Sequence, residues 1–125
     1  MTDRMIHTTT VTVTTVGSTG AAAGAASSIP LTGELLDIYL NYSASCHVNT
    51  DTVISESTFG TIMSLTDVIT DGRYAPRMAV HTAAGAAITN GFDRYPLSDS
   101  IITFTLAQCD ALAAALVATI RWLAY

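Results

Sequence analysis

The residues best suited to chemistry are a cysteine, a histidine and an aspartate that lie close together in the sequence, Cys46, His47 and Asp51. A thiol nucleophile with a neighbouring base and an orienting carboxylate is an arrangement that supports covalent catalysis. Adjacent residues of an extended chain point to opposite sides, however, and catalytic pairs are usually assembled from distant parts of a sequence. We therefore interpret the cluster as a polar loop. A small hydrolase that uses His47 or His81 is a minor alternative.

The sequence predicts no metal site, no cofactor and no catalytic residue. His7 and His81 have no second ligand at metal-binding spacing. Cys46 and Cys109 form no Cys-x-x-Cys motif, so we expect two reduced thiols, with a disulfide as the alternative. Residues 17–28 contain Gly-x-x-Gly after an expected strand, but they lack the lysine of a P-loop and the glycine spacing of dinucleotide-binding folds.

Two short segments, residues 71–77 and 91–97, combine arginine with tyrosine near predicted turns. Both residue types are enriched at protein interfaces, because they offer large contact areas and directed hydrogen bonds. We interpret the two segments as surfaces that contact another protein, and packing around turns is the alternative. The candidate contact residues are Arg73, Tyr74, Arg77, Arg94 and Tyr95.

The composition favours one small domain that associates with other proteins. A chain of 125 residues is enough for a single core, and we expect one domain over residues 1–125. Five basic residues against ten acidic ones give a net charge of -5, which argues against a nucleic-acid partner. No apolar run is long enough to cross a membrane, and no secretory signal pattern is present. Half of the residues are hydrophobic and few are charged, so we expect an oligomer or a larger assembly.

Abundant threonine and a two-residue alternation of side chains predict an all-β protein. The alternation is clearest over residues 6–16 and 31–42. Turn residues at near-regular spacing separate the predicted strands, as is typical of an antiparallel β-sandwich or a small, jelly-roll-like barrel. The shorter predicted strands are 52–57, 61–66, 74–81 and 101–106.

Three segments are harder to assign. Residues 17–28 consist almost entirely of small residues, which neither fill a core nor fix one backbone conformation, so we expect a flexible connection. Residues 107–123 are rich in alanine and leucine, which favour a helix. The β-branched and aromatic residues in the second half of that segment lead us to predict a final strand over 115–124, with a helix as the alternative. We expect residues 1–7 to form an N-terminal arm.

Four segments carry a resemblance to a known family. They are a Val/Thr strand that ends in Gly-Ser-x-Gly-x-Ala, then LTGELLDIYLNY (31–42), DGRYAPRMAVH (71–81) and AGAAITNGFDRYPL (84–97). Together they resemble small virion proteins of tailed bacteriophages, in particular capsid cement or decoration proteins. The resemblance extends from about residue 8 to residue 123 and includes no catalytic motif.

This resemblance implies a β-rich, non-enzymatic protein that is assembled in the host cytoplasm and binds the outside of the phage capsid. Such proteins commonly form homotrimers near local threefold axes and bridge subunits of the major capsid protein. The five candidate contact residues would then face the capsid, and residues 1–7 and 17–28 would act as arms that become ordered on binding. The alternative is a tail, fibre or adaptor module that connects head and tail or binds a host glycan through exposed aromatic residues, for which Tyr39, Tyr74 and Trp122 are the candidates.

Overall fold

The protein folds entirely into β-strands joined by turns and loops. The computed structural model describes residues 5–124, and over that range the chain contains no helix, so no helix there is long and apolar enough to span a membrane. The strands are β1 (Met5–Thr15), β2 (Ala22–Ser27), β3 (Leu31–Tyr42), β4 (Asp51–Glu56), β5 (Gly60–Leu65), β6 (Gly72–Tyr74), β7 (Arg77–His81), β8 (Ala87–Arg94), β9 (Pro96–Ser100), β10 (Ile102–Cys109) and β11 (Leu112–Ala124).

The strands form two curled antiparallel sheets and one separate hairpin. The large sheet has the order β1-β11-β3-β6, and β9 pairs with the start of β3. The small sheet has the order β2-β10-β4-β5, and β7 pairs with β8 alone in the β7–β8 hairpin. The two sheets curl around a shared core and form a half-barrel. The predicted all-β class, a sandwich or small barrel, is therefore confirmed.

The core forms where the inward-facing side chains of both sheets meet. Over residues 9–15 of β1 the alternation is regular, and Val11 and Val13 are buried between exposed threonines. In β3 a bulge interrupts the alternation, since Arg121 pairs with Asp37 and Trp122 pairs with Leu35. The largest fully buried side chains are Phe104, Leu31, Leu35, Ile38, Leu40, Ile54, Ile102, Leu106, Leu116, Ile120, Glu56 and Val13.

The final strand is confirmed and is longer than the sequence predicted. β11 runs from Leu112 to Ala124 and lies inside the large sheet, between β1 and β3. Two ladders of backbone hydrogen bonds therefore satisfy its amide groups, and its apolar side chains join the core. This tertiary context overrides the helical preference of alanine and leucine. The helix alternative for residues 107–123 is wrong.

The prediction of a flexible connection over residues 17–28 is wrong for half of that segment. β2 lies within it and pairs with β10, and Val16 and Ala23 exchange two backbone hydrogen bonds of 3.0 Å. Gly24 lies directly against the backbone of β1. A Cβ atom at Gly24 would be 1.9 Å from the carbonyl oxygen of Thr14. The small residues therefore allow β2 to pack closely on β1.

Other differences from the predicted elements are smaller. The predicted arm overlaps β1, which begins at Met5, so residues 5–7 are strand, while residues 1–4 lie outside the described residues. The single strand expected over 74–81 is divided into β6 and β7 by Ala75 and Pro76, because proline has no amide hydrogen for a ladder. β8 and β9 were not predicted from the sequence. The strands expected at 52–57, 61–66 and 101–106 are confirmed as β4, β5 and β10, with ends that differ by one to three residues.

Candidate protein-contact surface

All the arginines that the structure describes converge on residues 34–37 of β3. The chain contains no lysine, and its remaining arginine, Arg4, lies outside the described residues. Four guanidinium groups therefore surround two carboxylates and produce a local excess of positive charge on a chain whose net charge is -5. The four residues are Arg73, Arg77, Arg94 and Arg121.

Asp37 binds two of these arginines. Arg121 donates to both carboxylate oxygens of Asp37, with 2.9 Å between Nε and Oδ1, and Nη1 of Arg73 lies 3.0 Å from Oδ1. The hydrogen bond from Arg121 holds the pKa of the Asp37 carboxyl below its ordinary value and outweighs burial, which raises it. The Arg73 guanidinium also lies over the Tyr39 ring, 5.3 Å from its centroid. The Arg73 and Arg121 side chains are 51% and 40% exposed, so both are held in place and still face solvent.

Arg77 and Arg94 hold the root of the β7–β8 hairpin against β3. The two residues are direct cross-strand partners, a position in which like charges repel. Each has a partner elsewhere. Nη1 of Arg77 donates to the carbonyl oxygens of Leu36 (3.1 Å) and Pro76 (2.9 Å), and Nη1 of Arg94 lies 3.5 Å from Oε2 of Glu34. These contacts give both arginines a structural role, and their contact with a partner stays a prediction.

The two predicted contact tyrosines lie at the edge of the core. Tyr74 and Tyr95 are half-buried and pack against it. The Tyr95 ring meets Phe59 edge-to-face, with 5.2 Å between centroids, and the Tyr95 carbonyl accepts a hydrogen bond from the Leu35 amide. Phe59 itself is 44% exposed. The structure thus brings all five predicted contact residues close to β3, where each tyrosine exposes only part of its surface.

Beyond its root, the β7–β8 hairpin is exposed to solvent. Every residue from 81 to 90 is exposed. The tip is closed by hydrogen bonds from the Thr82 amide to the Ala86 carbonyl (2.8 Å) and from the Gly85 amide to the Thr82 carbonyl (2.9 Å). β8 presents Ile88 and Phe92, which are 43% and 65% exposed. Exposed apolar side chains mark a contact with another macromolecule when they form a contiguous patch, which makes these two residues candidates for such a contact.

Several residues of this surface were not among the candidates predicted from the sequence. Phe92 lies in a segment interpreted as a contact surface, but it was not among the candidates. Asp37 and Arg121 were not identified either, although a charged residue within an otherwise apolar strand was a usable signal. Their pairing joins positions far apart in the sequence, which periodicity does not reveal.

The cluster of Cys46, His47 and Asp51 does not form a catalytic arrangement. The Cys46 thiol donates to the Ala115 carbonyl at 3.2 Å, and Nδ1 of His47 accepts the Asn49 amide at 3.1 Å. The Asp51 carboxylate accepts a backbone amide from the loop after β5. The three side chains therefore use their polar atoms on separate backbone partners. Cys46 and His47 lie in the connection between β3 and β4, where Cys46 is buried in the core, and Asp51 is the first residue of β4, so only part of the cluster is a polar loop.

The Gly-x-x-Gly segment is held by a contact within the protein, and His81 lies at the surface. The Gly20 amide donates to Oδ1 of Asp110 at 2.9 Å, so a carboxylate holds the Gly-x-x-Gly turn. His81 is exposed at the end of β7. Over residues 5–124 the structure has no enclosed pocket and no group of three side chains arranged to bind a metal ion.

The three aromatic residues of the glycan alternative do not form an exposed platform. Trp122 is buried, with 8% of its surface exposed, and it lies against the His7 ring at 5.5 Å between centroids. Tyr74 packs on the core, and Tyr39 lies beneath Arg73. The expectation that Trp122 is exposed is therefore wrong, because the β3 bulge pairs it with the buried Leu35.

No protein-family model, curated protein or solved structure matches this chain.

Proposed function

We propose that this protein is a non-enzymatic structural component of a bacteriophage virion. In this role it binds the outer surface of the assembled capsid as a homotrimer and stabilises the shell by bridging subunits of the major capsid protein. It is assembled onto the capsid in the host cytoplasm. The observation that carries the proposal is the β7–β8 hairpin, whose root is fixed to β3 and whose exposed part presents Ile88 and Phe92.

The geometry of the hairpin suits a role in bridging. A two-stranded hairpin is marginally stable alone in water, so its exposed part gains stability when a second surface covers it. Arg77 and Arg94 fix the direction in which the hairpin leaves the sandwich. A fixed root with exposed apolar side chains along β8 would allow the hairpin to enter a groove between neighbouring capsid subunits while the domain remains outside. Covering Phe92 would then supply much of the binding energy.

The charge distribution supports a defined orientation on the capsid. Arginines cluster around residues 34–37, and the chain as a whole carries a net charge of -5. Complementary charges orient two proteins and suppress incorrect contacts more than they add affinity. The arginine cluster would face acidic groups of the capsid near the hairpin, and the acidic remainder of the surface would face solvent.

Co-sedimentation with purified phage heads that lack this protein tests the proposal. We expect the wild-type chain to sediment with the heads and Phe92→Asp to lose at least about tenfold in affinity, since a charge replaces an apolar contact. Val48→Asp is the matched control, because Val48 is also 65% exposed but lies in the β3–β4 connection. Wild-type binding with equal loss in both variants would contradict the hairpin contact. Absence of wild-type binding would refute the capsid role.

Light scattering on the purified protein tests the predicted homotrimer. Three chains of 13.1 kDa give an expected mass of about 39 kDa. A monomer that remains monomeric on the heads would contradict the homotrimer. Binding on a glycan array without binding to heads would instead support the fibre alternative.

A further inference from the structure

β8 contains an asparagine that is followed directly by a glycine, Asn90-Gly91. An asparagine can deamidate without an enzyme when the backbone nitrogen of the next residue attacks the carbonyl carbon of its side chain. The reaction needs an accessible nitrogen and a backbone that can rotate about the asparagine. Glycine meets both needs, because it has no side chain to shield its nitrogen and more conformational freedom than any other residue. Whether this sequence reacts therefore depends on how the fold holds it.

Residues 88–91 lie in an irregular part of the β7–β8 hairpin. The ladder pairs Ala79 with Phe92 and His81 with Ala87. β7 has a single residue between those two pairs, so it is too short to provide a partner for each of residues 88–91. No residue that the structure describes forms a ladder pair with them. A bulge leaves its extra residues unpaired, so the ladder does not hold the backbone of this segment.

Asn90 adopts a backbone conformation that a regular strand does not use. Its φ of 58° lies in the left-handed region, which asparagine enters more readily than most residues. Asn90 is also exposed to solvent. Gly91 lies against Ile88, and a Cβ atom at Gly91 would be 3.0 Å from the Ile88 Cβ. The fold thus favours glycine next to Asn90, which leaves the attacking nitrogen without a side chain of its own to shield it.

The other two asparagines of the chain, Asn41 and Asn49, are held differently. The Tyr42 amide, which follows Asn41, donates to a carboxylate oxygen at 2.8 Å. The Thr50 amide, which follows Asn49, donates to a backbone carbonyl at 3.0 Å. Tyr42 and Thr50 are both buried. At these two sites the nitrogen that would attack is therefore already engaged, and the residue that carries it is fixed in the core.

We propose that Asn90 is a site of spontaneous deamidation. The Gly91 backbone nitrogen gives up its proton to a base in solution and attacks Cγ of Asn90. The side-chain amide leaves as ammonia, and a cyclic imide forms between the two residues. Water then opens the ring at one of its two carbonyl carbons and produces either aspartate or isoaspartate. The side-chain NH2 is replaced by OH, one water is consumed and one ammonia is released, so no oxidant or reductant is required.

Either product adds a negative charge to the β7–β8 hairpin close to Phe92, because a carboxyl group is ionised at neutral pH. Isoaspartate also lengthens the backbone by one carbon atom. Under the proposed function, on which this step alone rests, Phe92 is covered by the capsid. A charge beside that apolar contact must be removed from water when the hairpin binds, which is unfavourable. Protein that deamidates before it reaches the capsid therefore binds more weakly.

The test compares the full chain in two states at the same mildly alkaline pH, folded in buffer and unfolded in urea. Peptide mapping by mass spectrometry follows deamidation at each asparagine over time. We expect Asn90 to react in the folded protein at nearly its rate in the unfolded chain. Folding should slow Asn41 and Asn49 at least about tenfold, since a hydrogen bond must break and a buried residue must move first. An Asn90 that folding slows as much as the other two would overturn the proposal.

Asn90→Gly is the matched variant, because glycine tolerates a φ of 58° and carries no side-chain amide. The wild-type peptide that contains β8 should accumulate isoaspartate, which an isoaspartate-specific methyltransferase labels. The same peptide of the variant should show neither the label nor the change in mass. A variant that is labelled as strongly as wild type would show that Asn90 is not the source and would overturn the proposal.

Co-sedimentation with phage heads tests the effect on binding separately. Asn90→Asp should bind about fivefold more weakly than wild type. Asn49→Asp, which adds the same charge at an exposed residue of the β3–β4 connection, should bind as wild type does. Equal binding by the two variants would overturn the effect of deamidation on the contact. The deamidation rates are measured without heads, so the modification site and the proposed function fail independently.

Discussion

Replacing Gly24 with alanine tests whether the small residues of β2 serve close packing. The added Cβ atom would lie 1.9 Å from the Thr14 carbonyl oxygen, 2.9 Å from its carbonyl carbon and 3.2 Å from the Thr15 Cα atom. Carbon and oxygen atoms in contact lie about 3.3–3.6 Å apart. All three neighbours are backbone atoms, which do not rotate away as the end of a side chain would. β2 and β1 must therefore separate by more than about 1 Å.

The cost of this separation is at the upper end of the range for overpacking. Insertion of a methyl group into a well-packed site costs typically about 1–3 kcal/mol, and we expect about 3 kcal/mol here. With an unfolding entropy of about 2.1 cal/mol/K per residue, the 125-residue chain should lose about 11 °C in Tm. Differential scanning calorimetry and urea unfolding measure the two quantities independently.

Ala25→Ser is the matched control for Gly24→Ala. It also adds one heavy atom to β2, at an adjacent residue that is exposed. We expect its Tm to stay within about 2 °C of wild type, as is usual for surface substitutions. A Gly24→Ala protein that melts as the control does would show that β2 is not packed on β1 as described. The small residues would then need another explanation.

Two further predictions concern the charge cluster and the core. Asp37→Asn should lower stability at neutral pH by about 2 kcal/mol, because hydrogen bonds to charged arginines are lost. Folding lowers the pKa of Asp37, so the difference in unfolding free energy between wild type and Asp37→Asn should be full above the ordinary carboxyl pKa. It should narrow as the pH falls through the lowered pKa of Asp37 in the folded protein. Urea titrations at neutral and acidic pH measure this difference, and a difference independent of pH would contradict the prediction. Phe104→Ala should lower the free energy of unfolding by about 3–5 kcal/mol, because Phe104 is fully buried. Phe59→Ala, at an exposed ring, should lower it much less. Equal losses in urea unfolding would contradict the placement of Phe104 in the core.

The fold class and most strands were predictable from the sequence because strand alternation is a local property. β1 and β3 show it directly, since buried and exposed residues alternate along most of each strand. β2 was missed because glycine and alanine have little preference for strands. The small residues of β2 are needed because its backbone lies close to that of β1, and a sequence pattern does not show this approach. β8 was missed because its pairing with β7 is irregular and Asn90 adopts a φ of 58°, which breaks the alternation.

The candidate contact residues were found by residue type, and their arrangement was not. Arginine and tyrosine near turns predicted a contact surface, and the structure brings those residues to β3. Local sequence patterns do not identify the group within the protein that each arginine binds. Asp37 and Arg121 come from different strands, and only the β3–β11 register makes them neighbours.

Two bulges shift the alternation of buried and exposed residues, one in β3 and one in β10. In β3 the extra residue Leu36 shifts the pattern, so Leu35 and Ile38 both face the core and Asp37 lies on the outer face beside Arg121. In β10 the register shifts between Leu106 and Cys109, with Gln108 at a φ of 56°, so two residues three positions apart are both fully buried. An unbulged β10 would turn Cys109 away from the core. The Asp37–Arg121 pair and the burial of Cys109 therefore depend on single irregular residues, whose removal should disrupt each of them while most of the ladder pairs remain.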